Sequence, residues 1–388
     1  MATMTEWTLP MNGQHNQRRL SWLSEERTDR RVFYTKLSPI SIIGMLHLAP
    51  QAPGSANCIE WAAPYSDVWG VACTNVTHLV WFTSPNTATV WSLDLSTGSA
   101  QPYFGPFHGC RAICLDHVGL PWVGGVYIDQ RKRNGVPRLS HLLDATTGLT
   151  EYWDLPSQFQ EPLAIWAEAD GTHVWIAPAA PGGVSPTQPA KSALVGRLNV
   201  KSGGLTAWVT NTGPSASDSR GVWGDRPVAP QRVWACDATD LYRIDTASIP
   251  PGAGTQTLER YHAPSNPLGG LCVVPSGDVW AGVMGGDLLS VPATQKCGTA
   301  AATILSLDAS RQTMNAFVDA PVTLQPAPAS ITPNPSTTLT LPSPSSCYVT
   351  VNLPSGAGVG CVRPSTTGQA KRVCWTDQNR NSVFALDY

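Results

Sequence analysis

One three-part unit recurs along this chain in a constant order. It has a strand ending in an aromatic pair such as V-W, a strand of the form h-x-h-D-x-x-T-G with h apolar, and a strand of the form x-W-x-L-P. The clearest copy is LPWVGG (120–125), LSHLLDATTG (139–148) and TEYWDLP (150–156). HVWIAP, LVGRLNVKSGG and LTAWVT repeat it over 173–210, and LVWFTS, TVWSLDLSTG and QPYFGP over 79–106. Weaker copies are RVWACD, LYRIDTAS and LERYHAP (232–264), then DVWAGV, TILSLDAS and MNAFVDAP (278–321). Between each x-W-x-L-P strand and the next V-W strand there is room for one more strand, which in a ring of blades is the innermost. The reading is all-β: a single β-propeller over 1–388, with seven four-stranded blades and six as the alternative.

The two ends complete each other. The chain finishes with RVCWTD (372–377) and SVFALDY (382–388), two parts of a unit whose third part is absent there. TEWTLP (5–10) supplies that part, so the N-terminal strand is expected to pair with the C-terminal blade and close the ring, removing open sheet edges. Residues 32–64 read as a degenerate unit, and the Pro/Ser/Thr-rich stretch 323–346 as a surface insertion.

Composition narrows the partners. With 25 Lys+Arg against 27 Asp+Glu and 13% charged residues, the chain has no electrostatic footprint for a phosphate backbone, so nucleic acid is not expected as a partner. The longest apolar stretch, Ile40 to Leu48, is short of the roughly 20 residues that cross a bilayer, so no membrane partner is expected either. The 34 Gly and 34 Pro residues suit short strands and tight turns. Ten cysteines include no C-x-x-C pair, so no zinc site is expected; thiols and disulfides both remain open. The N-terminus lacks the regions of a signal peptide while Asn75-Val-Thr77 is a glycosylation sequon, which leaves localisation open between cytoplasmic and secreted or vesicular. Phosphate-loop, dinucleotide, zincin and nucleophile-elbow motifs are absent.

In a propeller, the loops entering the innermost strands and the loops following the V-W strands share one face. His108 and Arg111 in GPFHGCR, together with Arg220, sit at such entries and are the candidate catalytic groups: an imidazole for proton transfer, and guanidinium groups to clamp paired oxygens. Tyr65, Tyr127 and Phe159 on the same loops are candidate stacking residues. Trp22, Trp69, Trp166 and Trp223 on the innermost strands either fill contacts between blades or form an aromatic wall around a ligand. Asp94, Asp144, Asp245 and Asp308 precede T-G-like turns and are expected to build them; Asp237 and Asp377 are read as turn caps rather than bases.

The unit EYWDLP, PLAIW, HVWI, VGRL and SGGLTAW (151–208) resembles the repeat of the streptogramin-lyase family of seven-bladed propellers. That family implies a metal-dependent C–O elimination carried by a His and an acidic residue; no H-x-E or E-x-H pairing stands on an inner strand here. The chain is also similar to fungal propeller hetero-Diels-Alderases of tropolone sesquiterpenoid pathways. That resemblance implies loss of water from a hydroxymethyl tropolone and cycloaddition of the quinone methide to a humulene-type alkene. Such chemistry needs no cofactor, only apolar small-molecule substrates held in near-attack geometry. A sugar-binding lectin with one tryptophan site per blade is the reading from another class.

Overall fold

The computed structural model describes residues 2–10, 20–26, 31–36, 41–49, 55–64, 67–73, 78–127, 135–179, 194–210, 221–225, 230–237, 239–262, 268–274, 276–283, 287–339, 341, 348–353, 359–365, 372–377 and 381–388. Side chains are described throughout these except in 20–26, 268–269 and 359–365.

Among the described residues, six antiparallel sheets hold seven four-stranded blades, since the nine-stranded sheet is two blades joined through one shared strand. From the innermost strand outward, blade 1 is Leu20–Glu26, Arg31–Lys36, Ile42–His47 and Cys58–Ala62. Blade 2 is Val71–Cys73, Leu79–Ser84, Thr89–Asp94 and Ser99–Phe104; blade 3 is Ala112–Leu115, Pro121–Tyr127, Val136–Asp144 and Leu149–Asp154. Blade 4 is Pro162–Ala167, His173–Pro178, Val195–Asn199 and Gly204–Thr210; blade 5 is Gly221–Gly224, Arg232–Cys236, Asp240–Asp245 and Gly254–His262. Blade 6 is Leu268–Val273, Val279–Val283, Asp287–Val291 and Val349–Asn352. Blade 7 is Val359–Ser365, Arg372–Asp377, Ser382–Asp387 and Ala2–Thr8. Each innermost strand touches the next, and that of blade 7 touches that of blade 1, so the ring is closed.

The core follows from this geometry. Seven clusters of buried apolar side chains each draw on two successive blades. The V-W tryptophans fill them: Trp81, Trp175, Trp234, Trp280 and Trp375 are fully buried, as are Trp153 and Trp208 from outermost strands. Truncating one of these indoles to Ala costs on the order of 3–5 kcal/mol.

Closure runs through the N-terminal strand as the sequence predicts. Thr3 to Thr8 pair in register with Asp387 to Ser382, and Trp7 is buried between blades 7 and 1. The entry into blade 1 is tied as well: Leu9 N–H donates to Asn381 O (3.0 Å), Asn381 Nδ2 to Leu9 O (3.1 Å) and Lys36 Nζ to Pro10 O (3.0 Å).

Blade 6 departs from expectation. TILSLDAS and MNAFVDAP are not its outer strands; they belong to a belt that leaves after Asp287–Val291 and follows the rim. Gly298–Asp308 pairs with the outermost strands of blades 5 and 4, and Ser310–Asn315 with that of blade 3. Phe317–Val318 and Val322–Thr323 pair with blade 2, Pro326–Ala329 with blade 1 and Thr337–Leu339 with blade 7. The chain then returns as Val349–Asn352, the fourth strand of blade 6. It has travelled round the molecule against the order of the blades, and the described residues 323–339 are its later part.

The turn glycines explain how the belt is seated. Gly98, Gly148 and Gly203 end the D-x-x-T-G-type turns of blades 2, 3 and 4 with φ of +71°, +74° and +78°. Their carbonyls accept from belt residues Leu324 (2.8 Å), Ala316 (2.8 Å) and Ala309 (2.9 Å). A Cβ on Gly148 would lie 2.4 Å from Ala316 O, so a side chain is excluded by the belt and not by the turn alone. Asn57 takes over this task in blade 1, its side chain bonding both Ile331 N–H (2.6 Å) and Ile331 O (2.7 Å). The belt therefore docks at Ala309, Ala316, Leu324 and Ile331, one contact per blade every seven or eight residues. At about 3.3 Å per extended residue, that spacing spans roughly 23 Å of rim.

Candidate functional site

The ring places the residues just ahead of successive innermost strands at one end of its central axis, the axial mouth. In blades 2, 3 and 4 these are Trp69, Arg111 and Glu161. Their backbones are fixed by ladder-like bonds: Trp69 N–H to Thr83 O (3.0 Å), Arg111 N–H to Gly124 O (3.0 Å), and Ala179 N–H to Glu161 O (2.6 Å). Thr35 Oγ1 of blade 1 also donates to Trp69 O (2.6 Å). Gly70 lets blades 2 and 3 approach, since a Cβ there would lie 2.7 Å from Arg111 O.

The side chains form a chain of their own. The Arg111 guanidinium lies over the Trp69 ring, 4.7 Å from its centroid, and Arg111 Nη1 meets Glu161 Oε1 at 3.3 Å. Arg111 is 42% exposed and Glu161 25%, so one face of this array meets solvent. On the described innermost strands of blades 2 to 5, most side chains pack into the clusters between neighbouring blades. Cys73, Cys114, Leu163 and Trp223 on these strands are partly exposed, and Cys73, Cys114 and Trp223 pack against the clusters between blades. An aromatic–cation–carboxylate row at the entries to three innermost strands is what these blades build.

A second group lies on blade 3, running from the loop ahead of its innermost strand out to the rim. His108 is exposed and meets Tyr127 edge-on, ring centroids 5.3 Å apart. Arg138 is sandwiched between Tyr127 and Tyr152, 4.2 Å from each ring, and its Nε donates to Asp154 Oδ1 (2.7 Å). Partial burial first, and the Arg138 charge second, hold the His108 imidazole below its ordinary pKa, so the ring is neutral at neutral pH. Gly109, at φ +61°, and Gly125 hold the loop: Cβ atoms there would lie 2.9 Å from Val126 O and 2.6 Å from His108 O. Cys110 beside them is buried, and burial raises its thiol far above the thiolate range, which removes it as a nucleophile.

The other sequence-predicted residues separate. Phe159, expected on a ligand-facing loop, is fully buried instead. The short 3-10 turn Ser157–Phe159 tucks its ring where a Cβ on Gly196 would stand 2.2 Å away. Trp166 is 9% exposed and packs where a Gly224 Cβ would be, 2.3 Å from its ring, so it fills the contact between blades 4 and 5. Trp223 packs against the clusters between blades 4 and 5, 5 and 6, and 6 and 7, and stays partly exposed. Trp22 lies on the innermost strand of blade 1, opposite Thr35, with its side chain outside the described residues; Tyr65 and Arg220 lie outside them altogether. Asp237 caps its turn, accepting from Thr239 N–H (2.8 Å) and Asp240 N–H (2.8 Å), and Asp94, Asp144 and Asp245 accept from the amides two residues on. Glu161 and Arg138 escaped the sequence reading; the signal for Glu161 was its place one residue ahead of PLAIW, equivalent to Arg111 ahead of AICL.

The opposite face spends its charges internally. His141 stacks on Trp122 at 4.0 Å and pairs with Asp116 (3.0 Å). Glu168 accepts from Trp175 Nε1 (2.9 Å) and Arg197 Nη2 (3.2 Å). Among the described residues, no three His, Cys, Asp or Glu side chains come together as a metal site. Nor is any described helix long and apolar enough to cross a membrane.

Fold and site thus define the class: a seven-bladed β-propeller, closed by its N-terminal strand and belted at its rim. Comparison with protein-family models gives no match, and comparison with curated proteins gives none either.

Proposed function

We propose that this propeller is a small-molecule enzyme whose apolar, planar substrate binds at the axial mouth against Trp69 and Arg111. The reaction we assign is the hetero-Diels-Alder cycloaddition between a tropolone-derived quinone methide and a humulene-type sesquiterpene. The observation that carries the reading is the half-exposed Arg111 guanidinium, stacked on Trp69 and held at one side by Glu161. A planar fork fixed in this way presents its remaining N–H donors to two adjacent oxygens, the arrangement a tropolone offers.

The chemistry divides into two steps. A hydroxymethyl tropolone loses its ring-hydroxyl proton and its side-chain hydroxyl as one water, leaving the quinone methide. Neutral His108 takes the first proton and returns it to the departing hydroxyl. Cycloaddition then forms one C–C and one C–O bond to the alkene with no atom lost. Arg111 polarises the ring oxygens in both steps, and the partly exposed Leu163 and Trp223 bound the apolar space for the terpene.

Incubating the protein with a hydroxymethyl tropolone and humulene tests this. Faster and stereoselective adduct formation relative to heat-denatured protein is expected, with Arg111→Ala lowering the rate about 100-fold. Rates and product ratios equal to the denatured control would overturn it. Activity on the same substrates that disappears with EDTA would move the assignment to the metal-dependent eliminating lyase.

A further inference from the structure

In blade 5 an exposed imidazole is bonded to a buried carboxylate. His262 ends the outermost strand and Asp240 begins the strand beside it, the two standing opposite each other in register. Asp240 follows the loop after the V-W strand, so the pair lies on the face that carries Arg111. His262 Nδ1 and Asp240 Oδ1 are 2.8 Å apart, and the imidazole is 69% exposed where the carboxylate is 1% exposed. Arg260, two residues earlier and therefore on the same side of the strand, donates from Nη2 to Asp240 Oδ2 (2.8 Å) and is 41% exposed. We propose that His262, positioned by Asp240 and assisted by Arg260, is a general base that hydrolyses carboxylic esters, a second activity of this face.

The local sequence fixes the carboxylate. Asp237 caps the turn after RVWAC, its Oδ1 accepting from the Asp240 N–H (2.8 Å), and the buried Tyr242 OH donates to Asp237 Oδ2 (3.1 Å). Thr239 Oγ1 adds a bond to Asp240 Oδ2 (3.1 Å). Burial raises the Asp240 carboxyl, but the bonds from Arg260 and then His262 outweigh it, so the group is ionised at neutral pH. An ionised carboxylate only accepts, so His262 Nδ1 carries the proton and the neutral ring turns its Nε2 lone pair away from Asp240. Beside Arg260 there is room: the belt residue paired with it is Gly298, and a Cβ there would meet, among the described residues, only Arg260 O at 3.5 Å. Three strand spacings of about 4.8 Å separate the outermost from the innermost strand of a blade, so this group stands apart from the row at the axial mouth.

Exposure selects the reaction, since water is always in contact with an imidazole this open. His262 Nε2 takes a proton from water, whose oxygen attacks the ester carbonyl carbon, and the C=O electron pair moves onto the oxygen that faces Arg260. Collapse restores the carbonyl and breaks the bond to the alcohol oxygen, which leaves with the proton returned by His262. One ester and one water give one acid and one alcohol. Asp240 stays ionised throughout and holds the ring in the productive tautomer.

Hydrolysis of 4-nitrophenyl acetate by the full chain, followed as release of 4-nitrophenolate, tests the proposal. His262→Ala, which removes an exposed side chain, is expected to lower kcat/KM about 100-fold. His117→Ala removes an exposed imidazole from the opposite face and is expected to leave the rate unchanged. Asp240→Asn, checked for its fold by circular dichroism, is expected to lower kcat at least tenfold with KM within about twofold of the wild type. A wild-type rate no faster than that of His262→Ala, or an equal fall in His117→Ala, overturns the proposal whether or not Asp240→Asn folds. A burst of nitrophenolate ahead of the steady rate also overturns it, because it would make the imidazole a nucleophile and not a base.

Discussion

The rim and the axial mouth of this propeller are built from the same repeat but use their polar groups in opposite ways. At the rim, turn carbonyls, outer strands and side chains such as Asn57 and Tyr152 are bonded to the belt, Tyr152 OH donating to Gln312 Oε1 at 2.5 Å. At the mouth, Arg111 and Glu161 hold each other yet leave a face open. Polar groups are used for pairing where strands would otherwise present open edges, and left partly open to solvent where the strands begin. The contrast predicts that rim changes alter stability and mouth changes alter chemistry.

Removing the N-terminal strand is the most damaging rim change. Deleting residues 2–9 unpairs Ser382–Asp387 and Thr337–Leu339 together, since Ala2–Thr8 lies between them. Loss of the cooperative thermal transition is expected by calorimetry, and a deletion variant that melts like the full chain would refute the closure. Next comes Gly148→Ala, which meets both a positive φ and the belt backbone; a loss of about 3 kcal/mol is expected in urea unfolding. Gly171→Ala is the control: its φ is +68°, but its Cβ would have nothing nearer than His117 at 4.0 Å, so about 1 kcal/mol is expected. Equal costs at both sites would mean that the belt contact contributes nothing.

A smaller effect comes from the face opposite the mouth. Burial raises the Asp116 carboxyl, but His141 and the amides of Leu120 and Val118 outweigh burial, so its pKa stands below the ordinary value. A carboxyl depressed in the folded state stabilises above its unfolded pKa of about 3.9, and that contribution fades as pH falls through the folded value. Tm is therefore expected to drop below pH 4, and Asp116→Asn to flatten that drop. An identical acid limb in the variant would place the sensitivity elsewhere.

The difference between the two regions also explains what the sequence could reveal. TEWTLP carries the blade signature, so its pairing with SVFALDY was legible from the ends alone. TILSLDAS carries the same apolar–Asp pattern, yet it pairs with outer strands of blades 4 and 5, because alternation records a strand and not its neighbour. Arg111 was legible by position. Phe159 misled because its loop lies on the right face while its ring turns inward over Gly196.

Titration with tropolone, followed by tryptophan fluorescence, tests the central claim most directly. Saturable binding at one site is expected in the wild type, at least tenfold weaker in Arg111→Ala and unchanged in the rim variant Phe317→Ser. Equal affinity in all three proteins would contradict an axial mouth built around Trp69 and Arg111.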